Sequence, residues 1–179
     1  MTSQRSLGIL HLAANRWWTG SADPVIRLVV ALRERGHRVM LGVIPGDRFE
    51  LKAREAGLEP IADLHLQTRG GPLALLRDLR RLRAIVEAES IDVIHTHHSH
   101  DHWLAVLARA RRRSGVRVPV VRSFHNLRAV KRDGLAGWLY RRTRAVVVVS
   151  RQIEARCRAV GFRADRVFWT PGMADLPRF

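Results

Sequence analysis

The sequence predicts an α/β fold, an open and mostly parallel sheet flanked by helices, on two observations. Short β-branched or Leu-rich runs alternate with helical patterns from end to end, as they do when crossover helices connect parallel strands. Several of these runs, such as Val146-Val147-Val148-Val149 and Val118-Pro119-Val120-Val121, are continuously apolar rather than alternating, which is how strands buried on both faces read. Strands are expected at 7–12, 38–44, 91–96, 118–124, 145–149 and 167–170, with a weaker one at 60–64.

The first helix is well punctuated. Asp23 is placed to cap it, Pro24 to open it, and Gly36 to stop it, while Val25, Leu28, Val29 and Leu32 recur at helical spacing. Between Leu73 and Glu87, Leu75, Leu76, Leu79, Leu82, Ile85 and Val86 form one stripe, and Arg77, Arg80, Arg81 and Arg83 face away from it. A crossover helix packed on the sheet explains this pattern; a basic helix lying on an anionic membrane is the alternative. No repeat, low-complexity tract or linker interrupts residues 1–179, so the chain reads as a single domain.

Charge separates function classes. With 32 Lys+Arg against 16 Asp+Glu the formal net charge is +16. Lys52 and Lys131 are the only lysines, and the arginines are dispersed through the helices instead of gathered on one face among aromatics. Nucleic acid is therefore disfavoured as a partner; anionic small molecules and lipid headgroups fit the charge equally well. Cys157 is the single cysteine, which rules out an intrachain disulfide or a cysteine-based zinc site. No apolar window approaches the roughly 18 residues of a membrane span, and no cleavable leader is recognisable. The expected location is cytoplasmic, with peripheral contact at the inner face of the membrane.

In an open parallel sheet ligands bind outside the carboxyl ends of the strands. After the first strand come Asn15, Arg16, Trp17, Trp18, Thr19, Gly20 and Ser21, with one glycine where the dinucleotide fingerprint needs three. A nicotinamide enzyme is thereby disfavoured, although Gly20 and Ser21 at a helix start can present amide groups to a phosphate. Five of the nine histidines fall within 92–103. A strand ending His95-Thr96-His97 raises metal hydrolysis, but Ser99 and His102 stand where an H-x-H-x-D-H run would need aspartate. No metal is expected, and His95 is expected to pack beneath the cleft. His125, just past the fourth main strand, is placed to donate to a phosphate or sugar hydroxyl or to handle a proton. Arg151, in the first turn after Val149-Ser150, suits an anion.

In order, Leu7-Gly8-Ile9-Leu10-His11-Leu12, Gly20-Ser21, Leu32-Arg33-Glu34-Arg35-Gly36-His37-Arg38-Val39, Ile91-Asp92-Val93-Ile94-His95-Thr96-His97, Pro119 through Asn126, Val147-Val148-Val149-Ser150 and the close Val167 to Asp175 with Phe179 resemble the N-terminal half of a family-four glycosyltransferase of the GT-B fold. The resemblance covers essentially the whole chain and implies a Rossmann-like domain, one half of a GT-B architecture. It also implies retaining transfer from a nucleotide sugar, a UDP- or GDP-sugar acting as co-substrate, with no tightly bound cofactor and no metal. The acceptor would be a lipid-linked or cell-envelope glycan. By position, Gly20 and Ser21 would approach the donor phosphates and His125 would act at the reacting sugar. Asn15, Arg16, His97, His98, Asp101, Asn126 and Arg151 would line the acceptor side. The family's C-terminal donor-binding domain is absent from this chain, so it is expected as a partner in cis or in trans, and the chain alone is expected to be inactive. Two other readings stay open: a non-catalytic module for anionic lipid or glycan, and a metal-dependent hydrolase built on the histidine cluster.

Overall fold

The computed structural model describes residues 5–15, 20, 22–66 and 70–171. Six strands, β1 (Gly8–Ala13), β2 (Arg38–Val43), β3 (Val93–Thr96), β4 (Val120–Phe124), β5 (Ala145–Val148) and β6 (Val167–Trp169), form one sheet in the order β2-β1-β3-β4-β5-β6, and every pairing is parallel. The helices are α1 (Ala22–Glu34), α2 (Arg48–Glu55), α3 (Gly71–Ala88), α4 (Ser99–Ala108), α5 (Gly134–Tyr140) and α6 (Arg151–Ala159).

The six expected strands are present with ends shifted by a residue or two, but 60–64 is not a strand. Ile61 donates one backbone hydrogen bond to Leu41, and the chain then turns at Ala62 and Asp63. Pro60 has no N–H to extend a ladder, and Leu64 and Leu66 are buried instead as plugs beside β2. The first helix begins at Ala22, so Asp23 lies within its first turn and pairs with Arg27 one turn on. Gly36 ends it with φ +83°, a left-handed conformation that glycine adopts without strain.

The strand registers divide the core in two. Ile9, Ala13, Val39, Leu41 and Val43 face α1 and α2, where Val25, Ile26, Val29, Phe49 and Ala53 complete one apolar layer. Leu10, Leu12, Ile94, Val120, Phe124, Val146 and Val148 face the other way, against Leu82, Ile85 and Val86 of α3, Leu104 of α4, Leu139 of α5 and Ile153 and Cys157 of α6. This placement follows from right-handed crossovers: β1 to β2 moves one way along the sheet, and every later step moves the other. Along α3 the expected stripe is buried only in its C-terminal half. Leu76 is exposed and Leu73 is 81% exposed. Beneath β3 to β5, on the α1 side, Val93, Val121 and Val147 are half-buried, and the β6 residue in register with Val147, Phe168, is 55% exposed. Gly8 permits a close backbone approach, since a Cβ there would lie 2.9 Å from the Ser90 carbonyl oxygen.

Candidate functional site

Strand order reverses between β1 and β3, so the loops after these strands diverge to opposite faces and leave a crevice at the carboxyl edge of the sheet. Ala14 and Asn15 leave β1 there, His97 and His98 leave β3, and His125 and Asn126 leave β4.

The floor of the crevice is a chain of imidazoles. His11 and His95 are register partners on adjacent strands, so their side chains share a face. His11 Nδ1 lies 3.0 Å from His97 Nε2, and His97 Nδ1 lies 3.3 Å from His125 Nε2. The His95, His97 and His125 rings stack in sequence, and His95 Nε2 is 2.8 Å from Ser123 Oγ. His11, His95 and His97 are buried while His125 is half-exposed, so the chain leads from the interior to the mouth. Burial pushes the pKa of His11 down to about 3 and that of His125 down to about 4, the latter also under the field of Arg122. His95 and His97 are lowered well below the ordinary value, first by burial and then by neighbouring charge, chiefly from His11 on His95 and from His95 on His97. Near pH 7 the rings are therefore neutral, each with one donor and one acceptor nitrogen. When His97 Nδ1–H donates to His125 Nε2, the His125 proton sits on Nδ1, which becomes the donor of this half-exposed ring. Candidate ligand atoms of His11, His95 and His97 lie within 4.8 Å of one another, so these three are the residues placed to share a metal ion. Hydrogen bonds among the rings and to Ser123 hold them in place, but His11 Nε2 is buried without a hydrogen-bond partner among the described residues.

Beneath the mouth, Asp101 caps the start of α4. Its carboxylate accepts from the backbone N–H groups of His97 (3.1 Å), His98 (2.8 Å) and His102 (2.9 Å). It is wholly buried, and burial raises its pKa to about 6 against the opposing pull of Arg122 and these bonds. Asp101 thus shapes the loop after β3 from below and offers no carboxylate to an acceptor. Sequence reasoning missed its neighbour Arg122, which reads as an ordinary strand residue yet is buried with Nη1 at 3.8 Å from Asp101. Its signal was a lone arginine within an apolar run. His102, with Nε2 at 2.8 Å from Thr143 Oγ1, is a satisfied core histidine.

Of the other anticipated residues, Asn15 is buried at the end of β1, and His98 is half-buried with its pKa lowered to about 4, chiefly by burial. Asn126 is exposed, but its Oδ1 already accepts from Ala129 N–H at 2.9 Å. Arg151 is held by its own surroundings, 2.7 Å from Glu154 and stacked 3.9 Å over the Trp169 ring. Gly20 is exposed, and a Cβ there would meet nothing within 4 Å among the described residues. Arg16, Trp17, Trp18 and Ser21 lie outside the described residues.

The imidazoles predict acid lability. Unfolded, they titrate near 6.5; folded, His98 and His125 hold out to about 4 and His11 to about 3. Between these limits the unfolded chain binds more protons, so stability present above pH 6.5 is lost as pH falls toward 4. Asp101 opposes this, because its raised pKa contributes stability at low pH that is lost as pH rises through about 6, but it is one group against several. The urea midpoint is expected to drop steeply from pH 7 to pH 5; a flat profile would show that the imidazoles are not held neutral.

An open parallel sheet with its strand-order reversal facing a polar, histidine-floored crevice is a Rossmann-like architecture, and it matches the fold of GT-B glycosyltransferases among the solved structures. The profile of Glycosyltransferase Family 4 matches residues 18–178, and the chain belongs to that family. HepE from Anabaena, solved with UDP-glucose, superposes with a TM-score of 0.74 at 17% identity, over 96% of this chain and 45% of HepE. A glycosyltransferase from Rickettsia africae gives 0.70 at 14% identity over 94% of this chain and 43% of its own, and MurG from Acinetobacter baumannii gives 0.68 at 15% over 94% and 46%. The chain therefore spans less than half the length of these structures. No curated protein matches the sequence significantly. Among the described residues no helix is long and apolar enough to cross a membrane.

Proposed function

We propose that this chain is the acceptor-binding half of a retaining glycosyltransferase that moves a sugar from a nucleotide sugar to a lipid-linked or cell-envelope acceptor. The observation that carries the reading is the neutral imidazole chain ending at half-exposed His125 in the crevice. A neutral ring there can hydrogen-bond a sugar hydroxyl or a leaving phosphate oxygen without drawing in a fixed counter-ion. Unobstructed Gly20 at the entrance to α1 supports approach of the donor phosphates, with Ser21 beside it in sequence. HepE was solved with UDP and glucose, which favours a UDP-sugar over a GDP-sugar. Neutralisation of the leaving diphosphate falls to a second, donor-binding domain, joined in cis or supplied in trans. The half-buried valines beneath β3 to β5 and exposed Phe168 support a docking face for it.

The natural gene product is expected to weigh about twice the 20.4 kDa of this chain and to transfer labelled sugar with retained configuration, while the isolated chain turns over negligibly. Robust transfer by the isolated chain would overturn the division of labour; no transfer by the natural product across UDP- and GDP-sugars would overturn the reading itself.

One set of residues favours membrane contact. Exposed Leu73, Leu127 and Leu135 lie with Arg77, Arg128, Lys131 and Arg132 at the carboxyl end of the sheet, the combination that binds anionic surfaces at their interface. A peripheral position at the inner face of the membrane fits an acceptor delivered on a lipid; it equally fits a non-catalytic lipid-binding module. Co-sedimentation with anionic vesicles, lost in high salt, is expected, and equal binding to neutral vesicles would remove the membrane contact.

A further inference from the structure

Arg122 is 2% exposed, yet neither its Nε nor its Nη1 has a hydrogen-bond partner among the described residues. Its nearest carboxylate, Asp101, is 3.8 Å from Nη1, beyond hydrogen-bond range. Burial lowers the pKa of the guanidinium only to about 10, so it is a cation at neutral pH. A buried cation with idle donors is costly, and a guanidinium fork is suited to a planar or tetrahedral oxyanion.

Those donors belong to a residue that lines a cavity of about 260 Å³ between β4, α4 and α5. Ser99 at the N-terminus of α4 and the Lys131 side chain line the same cavity, and both favour negative charge. Asp133 is the one acid there, and its Oδ1 is engaged by Ala136 N–H at 2.8 Å as the cap of α5. Apart from His102, whose Nε2 is engaged with Thr143 Oγ1 at 2.8 Å, the remaining wall is apolar or aromatic, chiefly Trp103, Phe124, Leu135, Leu139 and Tyr140. The lining thus combines a buried cation, Arg122, an exposed one, Lys131, and a hydrocarbon-compatible wall.

We propose that this cavity binds a phosphate group, with the oxyanion engaging the Arg122 fork and Lys131 beside it. The inference rests on the cavity's own residues and stands whether or not the crevice transfers sugar. The ligand chemistry has two sources, free phosphate or the headgroup of an amphiphile, and the apolar wall favours the second.

The test uses the full chain with three probes: inorganic phosphate, citronellyl phosphate and uncharged citronellol. The Arg122 Nε–H resonance is expected to shift downfield on adding either phosphate and to be unmoved by citronellol. Citronellyl phosphate binding about tenfold tighter than inorganic phosphate would identify an amphiphile as the source; equal affinity would identify free phosphate. Lys131→Ala, on the exposed side, is expected to fold normally and weaken both phosphates about three- to tenfold. Arg122→Lys keeps the charge but loses the fork, and is expected to abolish the preference for phosphate over alcohol. An Arg122 Nε–H signal indifferent to both phosphates, or citronellol binding as well as its phosphate, would overturn the proposal.

Discussion

Replacing Asp101 with alanine is expected to destabilise the domain by about 3–5 kcal/mol, the range for removing one partner of a buried ion pair. Two losses coincide. The His98 N–H loses its acceptor, those of His97 and His102 keep only their bonds to the Leu12 and His98 carbonyls, and buried Arg122 loses the carboxylate 3.8 Å away. Asp101→Asn should cost less, because the amide oxygen still accepts while the charge is gone. Urea midpoints of the two variants give the comparison. In the double variant Asp101→Asn with Arg122→Met, the cost should fall below the sum of the single changes, since no buried charge is left unpaired. Strict additivity would show that the two groups are energetically independent despite their proximity.

Replacing His125 with alanine in the natural gene product is expected to lower the sugar-transfer rate by about 10²- to 10⁴-fold, the range for a positioned acid or base. The fold should suffer little, because His125 is half-exposed and its hydrogen bond among the described residues is to another ring. His97→Gln is the informative companion. It changes the group that sets the His125 tautomer, so it should reduce kcat and alter the pH profile more than it raises KM for the acceptor. Transfer by His125→Ala within a factor of three of the parent would remove this residue from the chemistry and leave it as a loop histidine.

Much of the fold was legible because the signals are local. Continuously apolar Val146 to Val149 must lie between two covering surfaces, and Gly36 must end a helix where the chain turns left-handed. Failures came where local sequence is ambiguous. Residues 60–64 have strand-like composition, but Pro60 and the turn at Ala62 and Asp63 allow one ladder bond only. Asp101 was expected to line the acceptor side by its place after the third main strand; three N–H donors and a guanidinium instead make its burial tolerable.

The sequence by itself determined the α/β class, the strand order of appearance, the family and the carboxyl-end loops where a ligand must sit, since each is written in periodicity, punctuation or short ordered motifs. Only the tertiary structure decided which histidines meet. His11 and His97 are 86 residues apart and lie 3.0 Å from one another, because the crossover through α3 returns the chain to pair β3 against β1. The same non-local pairing set Arg122 beside Asp101, with Nε and Nη1 unpartnered among the described residues, in the lining of a cavity. Parallel sheets assemble their sites from strands distant in sequence, so the residue types are readable in the chain while their contacts, burial and protonation arise only when the strands are laid side by side.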